Sequence, residues 1–323
     1  MIEGVQRSSK DTKPEIVFVN YLSRSGSTLL CKLLDSYKGI SVGIEAGFPG
    51  AVKRLVPNEY REINNDGHLA RYLDELYRDV RFRDWNVDRQ CLINRLQKAG
   101  YPLTFKDILQ ACLEEYFGDI KAEIYVHKAG YYIDVLDDVR AAFGEHAKNV
   151  FIIRDPRAIY SSQGNATCVY TGQAMGRCLS GFVYQYKRRV RIVARETSKT
   201  LLCIRYEDLV RDTDKVIKKV LSFLGMPDAE FGGDNYAARI PNGQKHLHVN
   251  VSTAPNAESF EKWRATLKDH EVQFIQKKLA SEMKLLGYTP VQLDGLGVRD
   301  LMPYIVLELK YLYASLLRAV GFL

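Results

Sequence analysis

The densest chemistry in the chain lies in Tyr21-Leu-Ser-Arg-Ser-Gly-Ser-Thr-Leu-Leu30, directly after the apolar run Ile16 to Val19. Gly26 lets the backbone come close to an anion, and Arg24 adds a fixed positive charge. Ser27 and Thr28 offer amides and hydroxyls at the start of a helix, where the dipole is positive. The segment stands in the place of a nucleotide-binding phosphate loop but breaks the G-x-x-x-x-G-K-[ST] pattern, with Tyr21 at the first glycine and Ser27 at the lysine. It reads as an anion loop without the NTPase lysine. A capped turn that binds nothing is the bland alternative, and the placement straight after a strand argues against it.

A second constellation is Val150-Phe-Ile-Ile-Arg-Asp-Pro-Arg-Ala-Ile-Tyr-Ser-Ser162. A strand delivers Arg154 to its carboxyl end, Asp155 caps and Pro156 opens the next helix, and Ser162 follows about two turns on. An arginine fork and a hydroxyl from one strand–helix unit suit a second phosphate, separate from the first.

The loop Arg24-Ser-Gly-Ser-Thr28 resembles the 5′-phosphosulfate loop of sulfotransferases that use 3′-phosphoadenosine-5′-phosphosulfate (PAPS), and Arg154-Asp-Pro-Arg-Ala with Ser162 resembles their 3′-phosphate motif. The likeness is to the carbohydrate and tyrosylprotein branches. Arg205-Tyr-Glu-Asp-Leu209, Lys262-Trp-Arg264 and Met283-Lys-Leu-Leu-Gly-Tyr288 extend it over most of residues 15–290. The resemblance implies that Arg24 and the amides of Ser25, Gly26, Ser27, Thr28 and Leu29 hold the 5′-phosphosulfate, and that Arg154 and Ser162 hold the 3′-phosphate. It further implies that Tyr206 lies against the adenine and that Ser252 and Lys262 close over the donor. Glu45 falls where the tyrosylprotein branch keeps its catalytic glutamate, and Lys128 where the family keeps a lysine on a neighbouring strand. Such roles are chemically sensible: a carboxylate accepts the proton of an attacking hydroxyl, while Arg24, Lys128 and Ser252 meet charge developing on the sulfuryl group and the leaving phosphate. The implied product is adenosine 3′,5′-bisphosphate, and the chemistry calls for no metal.

Two departures stand out. Ala166 occupies the position of a further arginine in the tyrosylprotein branch, for which Arg157 or a residue of 239–250 is the expected substitute. Gly130 stands where the small-molecule branch places its histidine base.

These residues need a scaffold, and the pattern supplies one. After the first strand–loop–helix unit, a short strand over Ser41 to Ile44 ends on Glu45. Further strand–helix units begin at Glu123, Val150 and Leu201. The alternation predicts an α/β fold: a P-loop-like, mainly parallel sheet flanked by helices, with ligands at the carboxyl ends of the strands. A helical insert over about 47–120, rich in Arg and Tyr, carries buried stripes at Leu69, Leu73, Leu76, Val80 and at Ile108, Leu109, Cys112, Leu113, and is expected on the acceptor side. A long amphipathic helix is expected from about Phe260 to Leu286. The domain is expected over 15–290, after a flexible 1–14 and before a helical tail, 291–323. That tail repeats apolar residues at Leu301, Ile305, Leu309, Leu312, Leu316 and Val320, with Glu308 and Lys310 interrupting it. Packing on the core is expected, with contact to a membrane surface or a partner helix through 301–323 as the alternative.

The 323 residues carry a formal net charge of +7, with the basic residues dispersed, which fits a nucleic acid and an anionic small ligand equally well and decides nothing alone; no nucleic-acid partner is expected. Six cysteines without C-x-x-C spacing argue against a zinc site; only Cys168 and Cys178 suggest a pair. The first residues carry no apolar leader, which points to the cytoplasm, or to the Golgi lumen if the chain is a piece of a longer anchored one. Sequons at Asn165 and Asn250 would matter only there, and oligomeric state is not legible. The expected activity is sulfuryl transfer from PAPS to an acceptor hydroxyl, a glycan being favoured over a tyrosine peptide or a small alcohol or phenol. A P-loop kinase or NTPase and an inactive PAPS-binding module are the readings from other classes.

Overall fold

Strand β1 (Glu15–Tyr21) alternates its side chains between two apolar layers. Val17, Val19 and Tyr21 face a cluster with Leu30, Leu34 and Val220, while Ile16 and Phe18 face another with Leu73, Leu109 and Tyr132. Both faces are covered, as a parallel sheet requires. The structure, a computed structural model, describes residues 14–48, 62–120, 122–144, 147–167, 172, 175, 178–196, 199–233, 236, 260–293 and 298–319.

The main sheet contains β2 (Ile40–Val42), β5 (Ile124–Lys128), β6 (Asn149–Ile153) and β7 (Leu201–Arg205) besides β1, in the order β2-β5-β1-β6-β7. All four pairings are parallel, with Val19 opposite both Lys128 and Val150. Because β1 sits at the centre and the chain then visits both sides, the loops that follow the strands meet along one edge of the sheet. A separate antiparallel pair, β3 (Glu62–Ile63) and β4 (Leu103–Thr104), was not expected.

On the β1 loop side, α1 (Ser27–Asp35) starts at Gly26. The expected helical insert is present as α2 (Asp66–Arg78), α3 (Val80–Arg83), α4 (Arg89–Ala99) and α5 (Phe105–Phe117). Leu69, Leu73 and Leu76 are buried as predicted, but Val80 is exposed because Asp79 caps α3 and turns the chain there. A 3-10 turn (Tyr132–Val135) leads into α6 (Leu136–Phe143), and α7 (Pro156–Gly164) follows β6. Asp155 accepts from the Arg157 amide at 2.9 Å and Pro156 stands in the first turn, as the sequence indicates. Helices α8 (Leu179–Arg195), α9 (Tyr206–Arg211) and α10 (Thr213–Leu224) complete that region.

The long helix expected over 260–286 is instead three pieces: a 3-10 turn (Lys262–Ala265), α11 (Asp269–Lys278) and α12 (Ala280–Leu285). Trp263 is drawn into the interior, Glu271 turns back to accept from the Lys268 amide at 2.9 Å, and Leu279 leaves helical geometry. The tail forms α13 (Val298–Ala319) and packs on the core as expected, but not through the expected stripe. Tyr304, Leu307 and Tyr311 pack on the core, while the leucine stripe from Leu301 to Leu316 faces outward. Phe274 on α11 meets the rings of Tyr304 and Tyr311 and so selects that side. No helix among the described residues is long and apolar enough to cross a membrane. Cys178 is a free thiol, and its expected partner Cys168 lies outside the described residues.

Candidate active site

The loop between β1 and α1 holds two left-handed residues, Arg24 at φ 74° and Gly26 at φ 91°. Arginine in that region is strained, and such strain persists where surrounding contacts impose it. Those contacts fall on the loop's carbonyl oxygens. Arg189 donates to the Tyr21 oxygen at 2.8 Å, Gln163 to that of Ser23 at 3.0 Å, and Arg154 to that of Arg24 at 3.3 Å. Arg189 is itself anchored by Asp134 at 2.7 Å. With the carbonyls taken from outside, the loop amides and the α1 N-terminus are left for an anion.

Gly26 cannot be anything larger. A Cβ there would stand 2.2 Å from the Tyr206 ring, which lies against the loop. Above the same ring sits the Arg154 guanidinium, 4.6 Å from its centroid. Arg24 in turn donates from Nε to Ser162 Oγ at 3.1 Å. Burial, and then the Arg154 guanidinium, push the Arg24 pKa below its ordinary value. Two neighbouring guanidiniums in a buried setting are an arrangement that an anion relieves. The Ser25 hydroxyl is buried without a hydrogen-bond partner among the described residues, a further donor within the same loop. These features fit a phosphorylated ligand: a backbone cradle that a side chain would fill, an orphaned hydroxyl, and paired guanidiniums.

The neighbouring motifs brace Arg154. Glu207 accepts from the Asp155 amide at 2.9 Å and from the Tyr288 hydroxyl at 2.9 Å, so the Tyr-Glu-Asp and Leu-Gly-Tyr segments meet behind the β6 turn. Arg157 serves the same brace and does not substitute for the arginine missing at Ala166. It is buried, bound to Asp155 at 2.7 and 3.0 Å, and stacked 4.3 Å from the Trp263 ring.

On the other side of β1, Lys128 ends β5 and donates to Thr28 Oγ1 at 3.0 Å, which places its ammonium at the α1 N-terminus. It also lies 5.3 Å from the Tyr21 ring centroid. Glu45 stands beyond β2, which ends at Val42 rather than Ile44. Its segment is pinned by the Trp85 indole, donating to the Ile44 oxygen at 3.1 Å, and by the Phe48 amide on Tyr131 Oη at 3.4 Å. Arg81 reaches Glu45 Oε1 at 3.3 Å. Tyr21 is the residue that sequence reasoning left unused. Its buried hydroxyl completes no hydrogen bond of good geometry among the described residues, and burial, followed by the nearby Glu45 carboxylate, raises its pKa. Tyr21 thus lies beside both Lys128 and Glu45. Only its place at the strand–loop junction hinted at this.

The structure therefore brings together Arg24, Ser25, Gly26, Ser27, Thr28, Leu29, Arg154, Ser162 and Tyr206, with Lys128 and Glu45 on the adjoining side. Lys262 is exposed on its turn and makes no side-chain hydrogen bond among the described residues, while Ser252 lies outside them. His127 is fully buried, its Nδ1 2.8 Å from the Tyr132 hydroxyl. A histidine at position 130 would meet the Tyr21 carbonyl, 2.9 Å from the Cβ position, which explains Gly130 there.

Among solved structures, the chain resembles the sulfotransferase domain from the Synechococcus PCC 7002 olefin synthase, with TM-score 0.56 and 18% identity over 87% of this chain and 97% of that one. It also resembles the sulfotransferase domain from the curacin biosynthetic pathway, with TM-score 0.53 and 17% identity over 86% and 99%. At these identities they establish the fold. No curated protein matches the sequence. A sulfotransferase family model matches residues 14–230, two thirds of the chain and all the strands that carry the site; the protein belongs to the sulfotransferase family and is a sulfotransferase enzyme.

Proposed function

We propose that the enzyme binds PAPS across the β1, β6 and β7 loops and transfers its sulfuryl group to an acceptor hydroxyl held near Glu45. The observation that carries the reading is the convergence of Arg24, Arg154 and Ser162 over Gly26 and Tyr206, two cationic subsites joined by one hydrogen bond. In this reading Arg24 and the amides of residues 25–29 hold the 5′-phosphosulfate, Arg154 and Ser162 hold the 3′-phosphate, and the Tyr206 ring carries the adenine. Ser252 and Lys262 close over the donor.

The acceptor oxygen attacks sulfur as its proton passes to Glu45, and the bond from sulfur to the phosphate oxygen breaks to release adenosine 3′,5′-bisphosphate. Lys128 and Arg24 meet the charge that grows on the bridging oxygen and the sulfuryl group. Positioning supplies the rest, as in other in-line transfers. The helical layer α2–α5 shapes the acceptor side. Around Glu45 stand Arg81, Asp79 and the Tyr131 hydroxyl, polar groups that suit a polyhydroxylated acceptor, a sugar before a phenol.

The test is transfer from radiolabelled PAPS to a panel of glycans, tyrosine peptides, phenols and small alcohols, beside a thermal-shift comparison. Adenosine 3′,5′-bisphosphate at a hundred times its Kd should stabilise the fold by about 2.7 kcal/mol. ATP should do far less; equal shifts, or Mg²⁺-dependent ATP hydrolysis, would overturn the donor assignment.

A further inference from the structure

Tyr21 closes β1, opens the phosphate loop and is buried. The sheet sets its neighbours. Strand β5 lies between β1 and β2, and Val126 of β5 is opposite both Val17 and Val42. Tyr21, Lys128 and Glu45 all follow that row within a few residues, so they rise together past the carboxyl ends of three adjacent strands. The Tyr21 ring crosses the end of β5: its Cε2 and Cζ lie 3.6 and 3.7 Å from where a Cβ of Gly130 would stand. Having no side chain, Gly130 leaves the ring that path. The Lys128 ammonium lies 5.3 Å from the ring centroid, and Arg189 fixes the Tyr21 carbonyl at 2.8 Å. Among the described residues the buried hydroxyl has no hydrogen-bond partner of good geometry, and Glu45 is the carboxylate that acts on it.

We infer that Tyr21 is a positioning residue for sulfuryl transfer: its phenol hydroxyl donates to the Glu45 carboxylate and holds that base at the acceptor side of the sheet edge. This rests on the reading of Glu45 as the base. Glu45 needs a second hold, because its ion pair with Arg81 is 3.3 Å long and joins side chains that are 36% and 38% exposed. Such pairs constrain little. A donor on a packed ring does more, since a misplacement of about 1 Å can cost roughly a hundredfold in rate. Burial and the carboxylate itself keep Tyr21 protonated at neutral pH, which makes it a donor rather than a competing anion. A carboxylate offers about four acceptor sites, so Arg81 and Tyr21 leave room for the acceptor hydroxyl. In the transfer the acceptor's proton passes to Glu45, and Tyr21 keeps its own throughout.

The experiment compares Tyr21→Phe, Glu45→Gln and the double variant on the full chain, with radiolabelled PAPS and two acceptors, a methyl glycoside and para-nitrophenol. Tyr21→Phe keeps the ring beside Lys128 and removes only the hydroxyl. Its kcat should fall about tenfold or more, the loss expected for a hydrogen bond to a charged group. KM for PAPS and Kd for adenosine 3′,5′-bisphosphate should not change, and in the Glu45→Gln background the same substitution should cost nothing further. A merely structural role at the head of the phosphate loop would raise KM and Kd instead, and that result overturns the inference. Wild-type kcat in Tyr21→Phe beside an inactive Glu45→Gln overturns it too, while leaving Glu45 as the base. An active Glu45→Gln overturns both. A urea-unfolding cycle of Tyr21→Phe with Glu45→Ala needs no acceptor: the tyrosine change should cost less once the carboxylate is gone. Strict additivity would mean that the two side chains do not meet, which overturns the inference whatever the rates show.

Discussion

Arg24 and Ser162, 138 positions apart, share a hydrogen bond of 3.1 Å from Nε to Oγ. Through it the β1 loop and α7 form one surface, so the two proposed phosphate subsites are not independent. Replacing Ser162 by Ala removes a hydrogen bond to a charged group and should weaken binding of adenosine 3′,5′-bisphosphate about tenfold or more. Folding stability should change little, because Ser162 is only half-buried. Calorimetric titration reads the affinity, and an unchanged Kd removes Ser162 from the site.

Glu45→Gln tests the base. The side chain keeps its shape and can still meet Arg81, but it no longer accepts a proton, and turnover should fall by a factor of roughly a hundred or more. The thermal shift given by adenosine 3′,5′-bisphosphate should survive, since Glu45 sits beyond β2 rather than on the phosphate loop. A variant that keeps its turnover would take the role from Glu45.

Much of this site was legible because local rules and the fold agree. Asp155 and Pro156 announce the start of α7, Gly26 marks a left-handed turn, and the strand–loop junctions place Arg24, Arg154 and Tyr206 at one edge. What could not be read depends on contacts between distant segments. Nothing in the sequence near Tyr21 says that its hydroxyl lies near the carboxylate of residue 45, or that residue 189 holds its carbonyl. Arg157 looked available because its partners Asp155, Trp263, Gln276 and Thr289 come from three parts of the chain. The stripe on α13 was misjudged for the same reason. Both sides of that helix are apolar, and contacts from other helices, Phe274 and Lys278 among them, decide which one turns inward.

Gly26→Ala should be far more damaging than an exposed glycine substitution. The residue adopts φ 91°, and the new methyl would overlap the Tyr206 ring at 2.2 Å. A loss of about 1–3 kcal/mol is expected from the backbone alone, with the overlap in addition. Adding Tyr206→Ala should recover the part due to overlap but not the part due to φ, so a double-mutant cycle by urea unfolding should show positive coupling. Strict additivity would mean that the ring does not rest on the loop.

His127 supplies a pH signature of the core. It is fully buried among Phe18, Phe48, Trp85 and Tyr132, and burial pushes its pKa down from 6.5 to about 3. The unfolded chain therefore binds a proton in the range where the folded one does not, so stability rises with pH. The contribution is fully present above pH 6.5 and is lost as pH falls toward 3, with a limiting slope of about 1.4 kcal/mol per pH unit. Carboxylates begin to titrate below about pH 5, so the clean window is pH 5 to 6.5. His127→Gln can keep an acceptor for the Tyr132 hydroxyl and does not titrate. Urea unfolding across that window should give a shallower slope for the variant than for the wild type, and two parallel lines would show that His127 reaches water in the folded state.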